Sequence, residues 1–282
     1  MNPSAWIAAA AIVILGLGLI ALTFSSRFSA DRAESFARSV GLELPPPLRA
    51  AVTARIARRH RAGSVGMILG TAAAAFLLAT DTRSSENFAS PFLLFAGSFV
   101  GLAIGVAISS VTSSRTTDPD AVKYARTAAV ALDDYVAPLE RTGARIVVAL
   151  AVAAVIAAYA TGVVANPVLA ALGGLAVASL VLFEVAGRRL VERSQPATSP
   201  AELAWDDAVR ASQLRDIVTA PLTLGSFSLV IGLGAIVDRL SDSYGFTAIA
   251  VTGFGAIALV VASIVSRPQR YFLRRLWPAV EA

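Results

Sequence analysis

Long apolar runs separated by short basic stretches constrain this chain more than any other feature. Seven runs of about 20 residues carry almost no charge: 5–24, 63–80, 91–111, 145–164, 167–187, 217–237 and 245–266. Crossing a hydrocarbon core of roughly 30 Å takes about 20 helical residues, and lipid offers no partner for unpaired backbone groups. The sequence therefore predicts an all-α, multi-pass bundle of about seven transmembrane helices, with 1–282 as a single membrane domain.

The composition agrees with a membrane protein. The chain is 56% hydrophobic and 15% charged, with a mean hydropathy of +0.69, whereas soluble domains average about 25% charged residues. So little charge leaves too small a polar surface to cover a globule in water. The absence of cysteine excludes disulfides and thiol catalysis. Lys123 is the only lysine, a usage typical of a GC-rich bacterial genome.

The distribution of basic residues predicts the orientation. All but two of the 24 Lys and Arg residues fall in alternate connecting segments, namely 25–62, 112–145, 188–216 and 267–282. The intervening loops hold only Arg83 and Arg239. By the positive-inside rule, the N-terminus lies outside and the C-terminus in the cytoplasm of a plasma membrane. Because the basic residues form no single patch, they predict contact with membrane lipid and no nucleic acid partner.

The basic segments contain helix start signals. Ser199 to Glu202 has the pattern of a capping box with Pro200 at the first helical position, and Pro47 can open a helix that runs to Arg61. We expect these to be short amphipathic helices on the cytoplasmic membrane face. A helix of this kind together with the hairpin that follows it makes one unit, and the sequence predicts three such units, at 45–113, 117–187 and 198–268. The alternative is that there is no true structural repeat, because any series of transmembrane hairpins with basic loops looks repetitive in sequence.

Two acidic pairs follow the same pattern in the second and third units. Asp133 and Asp134 superpose on Asp206 and Asp207 after a shift of 73 residues, and Trp205 precedes the second pair. These five residues predict a docking surface for a cytoplasmic protein partner. Replacing both Asp206 and Asp207 with alanine should then abolish copurification of the partner and leave stability nearly unchanged. The alternative is solvated helix charges that balance nearby arginines, with Trp205 as an interface anchor.

Small residues predict close helix packing within the spans. Gly97, Gly101 and Gly105 repeat every four residues, as do Gly66 and Gly70, and such faces let helix backbones approach each other. The neighbouring helix belongs either to this chain or to a second copy through self-association. In the sixth span three hydroxyl residues could line a substrate path, namely Thr223, Ser226 and Ser228.

Chemistry-bearing residues are scarce. The span interiors lack ionisable side chains, with Glu184 nearest at a basic boundary, and His60 is the single histidine. No nucleophile elbow or phosphate-binding glycine loop is present, so we expect no catalytic residue, no metal site and no cofactor. The first hypothesis is a non-enzymatic membrane subunit that docks a partner such as an ATPase or regulatory protein. The alternative is a self-contained small-molecule carrier or permease, ahead of an intramembrane enzyme or a receptor-like sensor.

Overall fold

A computed structural model describes residues 3–22, 24–80, 90–112, 130–162, 167–195, 197–240 and 270–278. Its helices are α1 (Pro3–Leu22), α2 (Ser26–Val40), α3 (Pro46–Thr80), α4 (Ser90–Thr112), a 3-10 helix (Leu132–Asp134), α5 (Pro138–Ala160), α6 (Pro167–Glu192), α7 (Pro200–Leu240) and α8 (Tyr271–Leu276). Five of them, α3 to α7, are long and apolar enough to cross a membrane. A bend of 93° separates α1 from α2, and this pair makes a sixth candidate if it is one broken span.

The all-α, multi-pass prediction is thus confirmed, and α7 begins at Pro200 as the capping-box pattern indicated. Pro138, Pro167 and Pro200 each open a helix, where the missing N–H costs nothing. At the start of α7, Ser199 Oγ accepts a hydrogen bond from the Glu202 N–H at 3.2 Å. The Glu202 carboxylate in turn accepts one from the Thr198 N–H at 2.7 Å. The predicted span 245–266 lies outside the described residues.

The expectation of separate cytoplasmic helices before the second and sixth spans is wrong. α3 is a single helix of 35 residues and α7 one of 41 residues, so they are about 52 and 62 Å long at 1.5 Å per residue. A single Gly63 separates the basic segment of α3 from its apolar segment, and an interior glycine costs only about 1 kcal/mol. Each charged segment therefore continues an apolar segment as one helix instead of forming a helix of its own.

These extensions pack together into a folded layer at one end of the bundle, which we call the head. It consists of α2, residues 46–61 of α3, the 3-10 helix, residues 200–215 of α7, and α8. Its buried side chains form a continuous core that includes Ala33, Val40, Val52, Ile56, Leu132, Trp205, Phe272 and Leu273. The apolar face of α2, a helix that was not predicted from the sequence, thus rests on protein.

Two helical hairpins, α3–α4 and α5–α6, follow one another and both pack against α7. The segment before α5 differs from the other two units. Ala137 is extended (φ −60°, ψ 138°) ahead of Pro138, because a residue before proline disfavours the helical conformation. Asp133 and Asp134 consequently lie in a 3-10 helix, whereas Asp206 and Asp207 lie inside α7. The second helix of the third unit lies outside the described residues, so the threefold repeat stays a prediction.

Candidate functional site

Asp207 lies at the centre of the head and is fully buried. Its carboxylate accepts hydrogen bonds from the Tyr135 hydroxyl at 2.8 Å, the Gln195 side-chain amide at 2.9 Å and the Trp277 indole N–H at 2.9 Å. These donors come from the segments before α5, after α6 and after α8. A buried carboxylate is tolerated when its oxygens are satisfied in this way, so Asp207 joins four parts of the chain.

Trp205 is also interior, with 2% of its surface exposed. Its indole N–H donates to the Glu43 carbonyl at 3.0 Å, and its ring is tilted against that of Phe36 with 6.1 Å between centroids. This placement corrects the expectation that Trp205 and Asp207 belong to a docking surface, because buried side chains cannot contact a partner. The sequence signal was misread: a tryptophan beside an acidic pair is here a core residue with a satisfied polar group.

Two ion pairs tie α3 to α7 across the head. Arg55 pairs with Asp206. Arg59 pairs with Asp216, with a 2.7 Å hydrogen bond from its Nε, and also donates to Ser212 Oγ at 2.5 Å. Both pairs are partly buried, and Arg59 makes several hydrogen bonds, so their geometry is better defined than that of an exposed surface pair. The two long helices are therefore held together along their charged segments.

A second set of ion pairs connects the remaining helices of this end. The Arg141 guanidinium lies between Asp133, at 2.6 Å, and Glu184, at 3.1 Å. Arg145 donates to Glu184 at 2.5 Å, so Glu184 pairs with cations at the boundary and does not stand alone among apolar side chains. Asp134 lies 3.5 Å from a guanidinium nitrogen of Arg275. All four predicted docking carboxylates are thus engaged within the chain.

The accessible surface of the head is basic. Among the described residues of this end, exposed arginines lie on α2, on α3, at the start of α5, at the end of α6 and around α8: Arg27, Arg32, Arg38, Arg49, Arg58, Arg145, Arg188, Arg189, Arg270, Arg274 and Arg275. Apart from the paired Asp133, the exposed carboxylates there are fewer, namely Asp31, Glu43 and Glu192. Most carboxylates of this end are paired within the chain, so the exposed charge is mainly positive. The net charge of +5 is the sequence signal that indicates a basic surface.

The predicted glycine faces lie against each other within this chain. Gly66 and Gly70 of α3 meet Gly97, Gly101 and Gly105 of α4 so closely that added Cβ atoms would collide with backbone. A Cβ on Gly66 would overlap the Gly101 carbonyl, and one on Gly101 would overlap the Gly66 carbonyl. The two backbones are therefore in direct contact, which gains dispersion energy where lipid removes the hydrophobic drive. The predicted neighbour was a helix of this chain or of a second copy, and the structure shows a helix of the same chain at this face.

A groove of about 860 Å³ runs along this helix pair. Its walls extend on α3 from Arg58 to Leu77 and on α4 from Leu93 to Ile108, with Leu175 of α6 as a further contact. Glycines and aliphatic side chains make up the lining except at one end, where Arg58 and Arg61 are its charged members. The groove is apolar over most of its length and cationic where α3 enters the head.

The hydroxyl residues of the sixth span are packed in helix contacts. Thr223 and Ser228 are buried and Ser226 is half-buried, and none of the three lines the groove. Within the described residues the hydroxyls of Thr223 and Ser228 have no hydrogen-bond partner. By contrast, the Thr219 hydroxyl donates to the Arg215 carbonyl at 2.8 Å, the usual arrangement in a helix. Within the described part of the chain the three hydroxyls therefore lie away from the groove.

Comparison with known proteins gives no function to transfer to this chain, so any functional inference rests on the site itself. No protein-family model, curated protein or solved structure matches the chain. In the ranges that the structure describes, no three His, Asp or Glu side chains are grouped as a metal ion would require. The features that remain are the folded basic head, the glycine-packed helix pair and its groove.

Proposed function

We propose that this protein is a non-enzymatic membrane subunit that holds a cytoplasmic protein partner at its head. The observation that carries the proposal is that the head is folded around a buried core, which it shares with the adjoining ends of α4, α5 and α6. It is also continuous with the spans through α3 and α7. A surface that is already ordered loses little conformational entropy when a partner binds. The ion pairs Arg55–Asp206 and Arg59–Asp216 support this, because they fix the two long helices relative to each other.

The exposed face of α2 is the surface that we assign to the partner. Ser29, Ala33, Ala37 and Val40 hold the other face of this helix against the protein. Arg27, Arg32 and Arg38 remain exposed along it. A basic face on a fixed helix is complementary to an acidic protein surface, and such complementarity gives specificity and faster association. The partner that we propose is therefore acidic where it meets α2.

The proposal includes seven spans, an external N-terminus and a plasma-membrane location, which rest on the alternation of basic segments. Cysteine labelling tests this orientation, and the native chain has no cysteine to give background. We expect Ser84→Cys and Ser241→Cys to react with an impermeant thiol reagent in intact cells. Thr116→Cys and Ser194→Cys should react only after lysis. Labelling of the second pair in intact cells would reverse the orientation of the bundle.

Charge reversal on α2 tests the docking proposal. We expect Arg32→Glu with Arg38→Glu to reduce the copurifying partner by about tenfold or more, because like charges then face each other across the interface. The measurement is the partner recovered per mole of protein, in mild detergent, from cells that make the protein at native levels. A photocrosslinking residue at Ser35, which is exposed between the two arginines, should capture that same partner.

The matched control is Arg188→Glu with Arg189→Glu, which reverses two exposed charges at the end of α6 and should leave recovery unchanged. The alternative function, a self-contained carrier or permease, is favoured by the buried hydroxyls of Thr223 and Ser228, which lack partners among the described residues. Absence of a stoichiometric partner at native expression would refute the subunit proposal. Solute transport by the purified protein alone in liposomes would establish the carrier instead.

A further inference from the structure

We propose that the groove between α3 and α4 binds an acyl chain of an anionic phospholipid, with the headgroup phosphate against Arg58 and Arg61. This site is separate from the partner surface on α2 and does not depend on the proposed function. It concerns one lipid molecule held at a defined position, in addition to the general lipid contact of any spanning helix.

The shape of the groove fits a lipid chain. From Arg58 to Leu77 the wall on α3 covers about 28 Å at 1.5 Å per residue. A chain from one leaflet occupies about half of the roughly 30 Å hydrocarbon core, so the groove is long enough to hold it. The glycines at the α3–α4 contact provide no side chains, while Val65, Leu69, Ile104 and Ile108 project beside them and are exposed. This difference in side-chain size makes a long channel on the outer surface of the helix pair.

The charge at the end of the groove fits a phosphate. α3 carries four arginines in this region, and the structure divides them into two kinds. Arg55 and Arg59 are paired with carboxylates of α7. In the described part of the chain no carboxylate pairs with Arg58 or Arg61, and Arg61 lies with its guanidinium 5.2 Å from the centre of the Phe24 ring. Two cations that no described carboxylate neutralises, placed at the apolar boundary, are suited to a lipid headgroup.

Other apolar occupants fit the charges less well. The segment 245–266 of this chain contains no Asp or Glu, so it offers nothing to Arg58 and Arg61. A second copy in the same orientation would present an exposed apolar face of α1, α5 or α6. Those faces end near Arg27, Arg145 and Arg188 at this same end, which brings like charges together. An anionic lipid supplies both the apolar length and the negative charge.

Photolabelling tests the site on the full chain. The protein is placed in phosphatidylcholine nanodiscs with a small amount of phosphatidylglycerol that carries a diazirine on one acyl chain, and the labelled residues are mapped by mass spectrometry. We expect label at Val65, Leu69, Ile104 and Ile108 in preference to Ile146, Leu150 and Val181, which are also exposed apolar residues but lie outside the groove. Phosphatidylcholine with the same diazirine chain should label the groove about 30-fold less. This factor is the combined preference of Arg58 and Arg61 for a headgroup with a net negative charge.

Arg58→Gln with Arg61→Gln should remove the preference for phosphatidylglycerol, whereas the control Arg188→Gln with Arg189→Gln should retain it. Leu69→Trp should reduce groove labelling through steric filling, and Leu69 is 64% exposed, so this change should leave thermal stability near that of the wild type. Equal labelling on and off the groove, or equal labelling by both lipids, would overturn the proposal. So would efficient oxidation of Leu69→Cys to a disulfide-linked dimer, or its disulfide with Ala258→Cys, since each identifies a protein occupant.

Discussion

Replacing Gly101 with leucine should destabilise the folded protein by about 3 kcal/mol, at the upper end of the usual overpacking cost. The reason is that the Cβ alone would collide with the Gly66 carbonyl and come close to the Gly70 Cα. Backbone atoms cannot move aside as a flexible side chain can, so α3 and α4 would have to separate along the whole glycine contact. Chemical unfolding in detergent, followed by circular dichroism, measures the effect.

Alanine provides a sharper test because two effects oppose each other. Alanine favours a helix over glycine by about 1 kcal/mol, so Gly174→Ala should stabilise the protein, since nothing lies within 4 Å of its Cβ position. Gly101→Ala should destabilise it in spite of the same helix preference. An equal gain in stability at both positions would show that α3 and α4 do not touch through their backbones.

Alanine at Asp207 should reduce the free energy of unfolding by about 3–5 kcal/mol, comparable to the loss of one side of a buried charged network. The change leaves the donors of Tyr135, Gln195 and Trp277 without their acceptor in the interior of the head. Thermal stability in detergent and protease sensitivity of the segment after α8 provide the measurements. Asp207→Asn should cost less, because an amide oxygen still accepts.

The matched control is Asp31→Ala, which removes an exposed carboxylate from the same end of the molecule and should change stability little. This prediction reverses the expectation that Asp206 and Asp207 could be replaced together without a structural cost. Wild-type stability of Asp207→Ala together with loss of the partner would restore the docking role of this carboxylate.

The sequence was sufficient to locate the apolar helices. The predicted spans 91–111 and 167–187 lie within α4 and α6, because continuous apolar runs of that length have one structural solution in lipid. The four-residue spacing of Gly97, Gly101 and Gly105 similarly identified the face that packs, since residues at that spacing share one side of a helix. Both properties are local, and a single sequence carries them directly.

The head could not be predicted in the same way. Val52 and Ile56 lie among arginines, so the stripe they form reads equally well as a face for lipid or for protein. Arg55 and Asp206 are 151 residues apart, and no local pattern indicates that they meet. Asp206 and Asp207 are adjacent, yet successive helix positions point about 100° apart. One carboxylate therefore meets an arginine of α3 and the other the interior, a distinction that only the packing decides.

The unbroken course of α3 has a mechanical consequence. About 23 Å of this helix, from Pro46 to Arg61 at 1.5 Å per residue, lies in the head, where Arg55 and Arg59 pair with carboxylates of α7. The same helix continues without a break into the glycine contact with α4. A change of roughly 5° in the tilt of α3 would therefore displace Pro46 by about 2 Å, at the same rise per residue. Because of the ion pairs, we expect the head to follow any such tilt of α3.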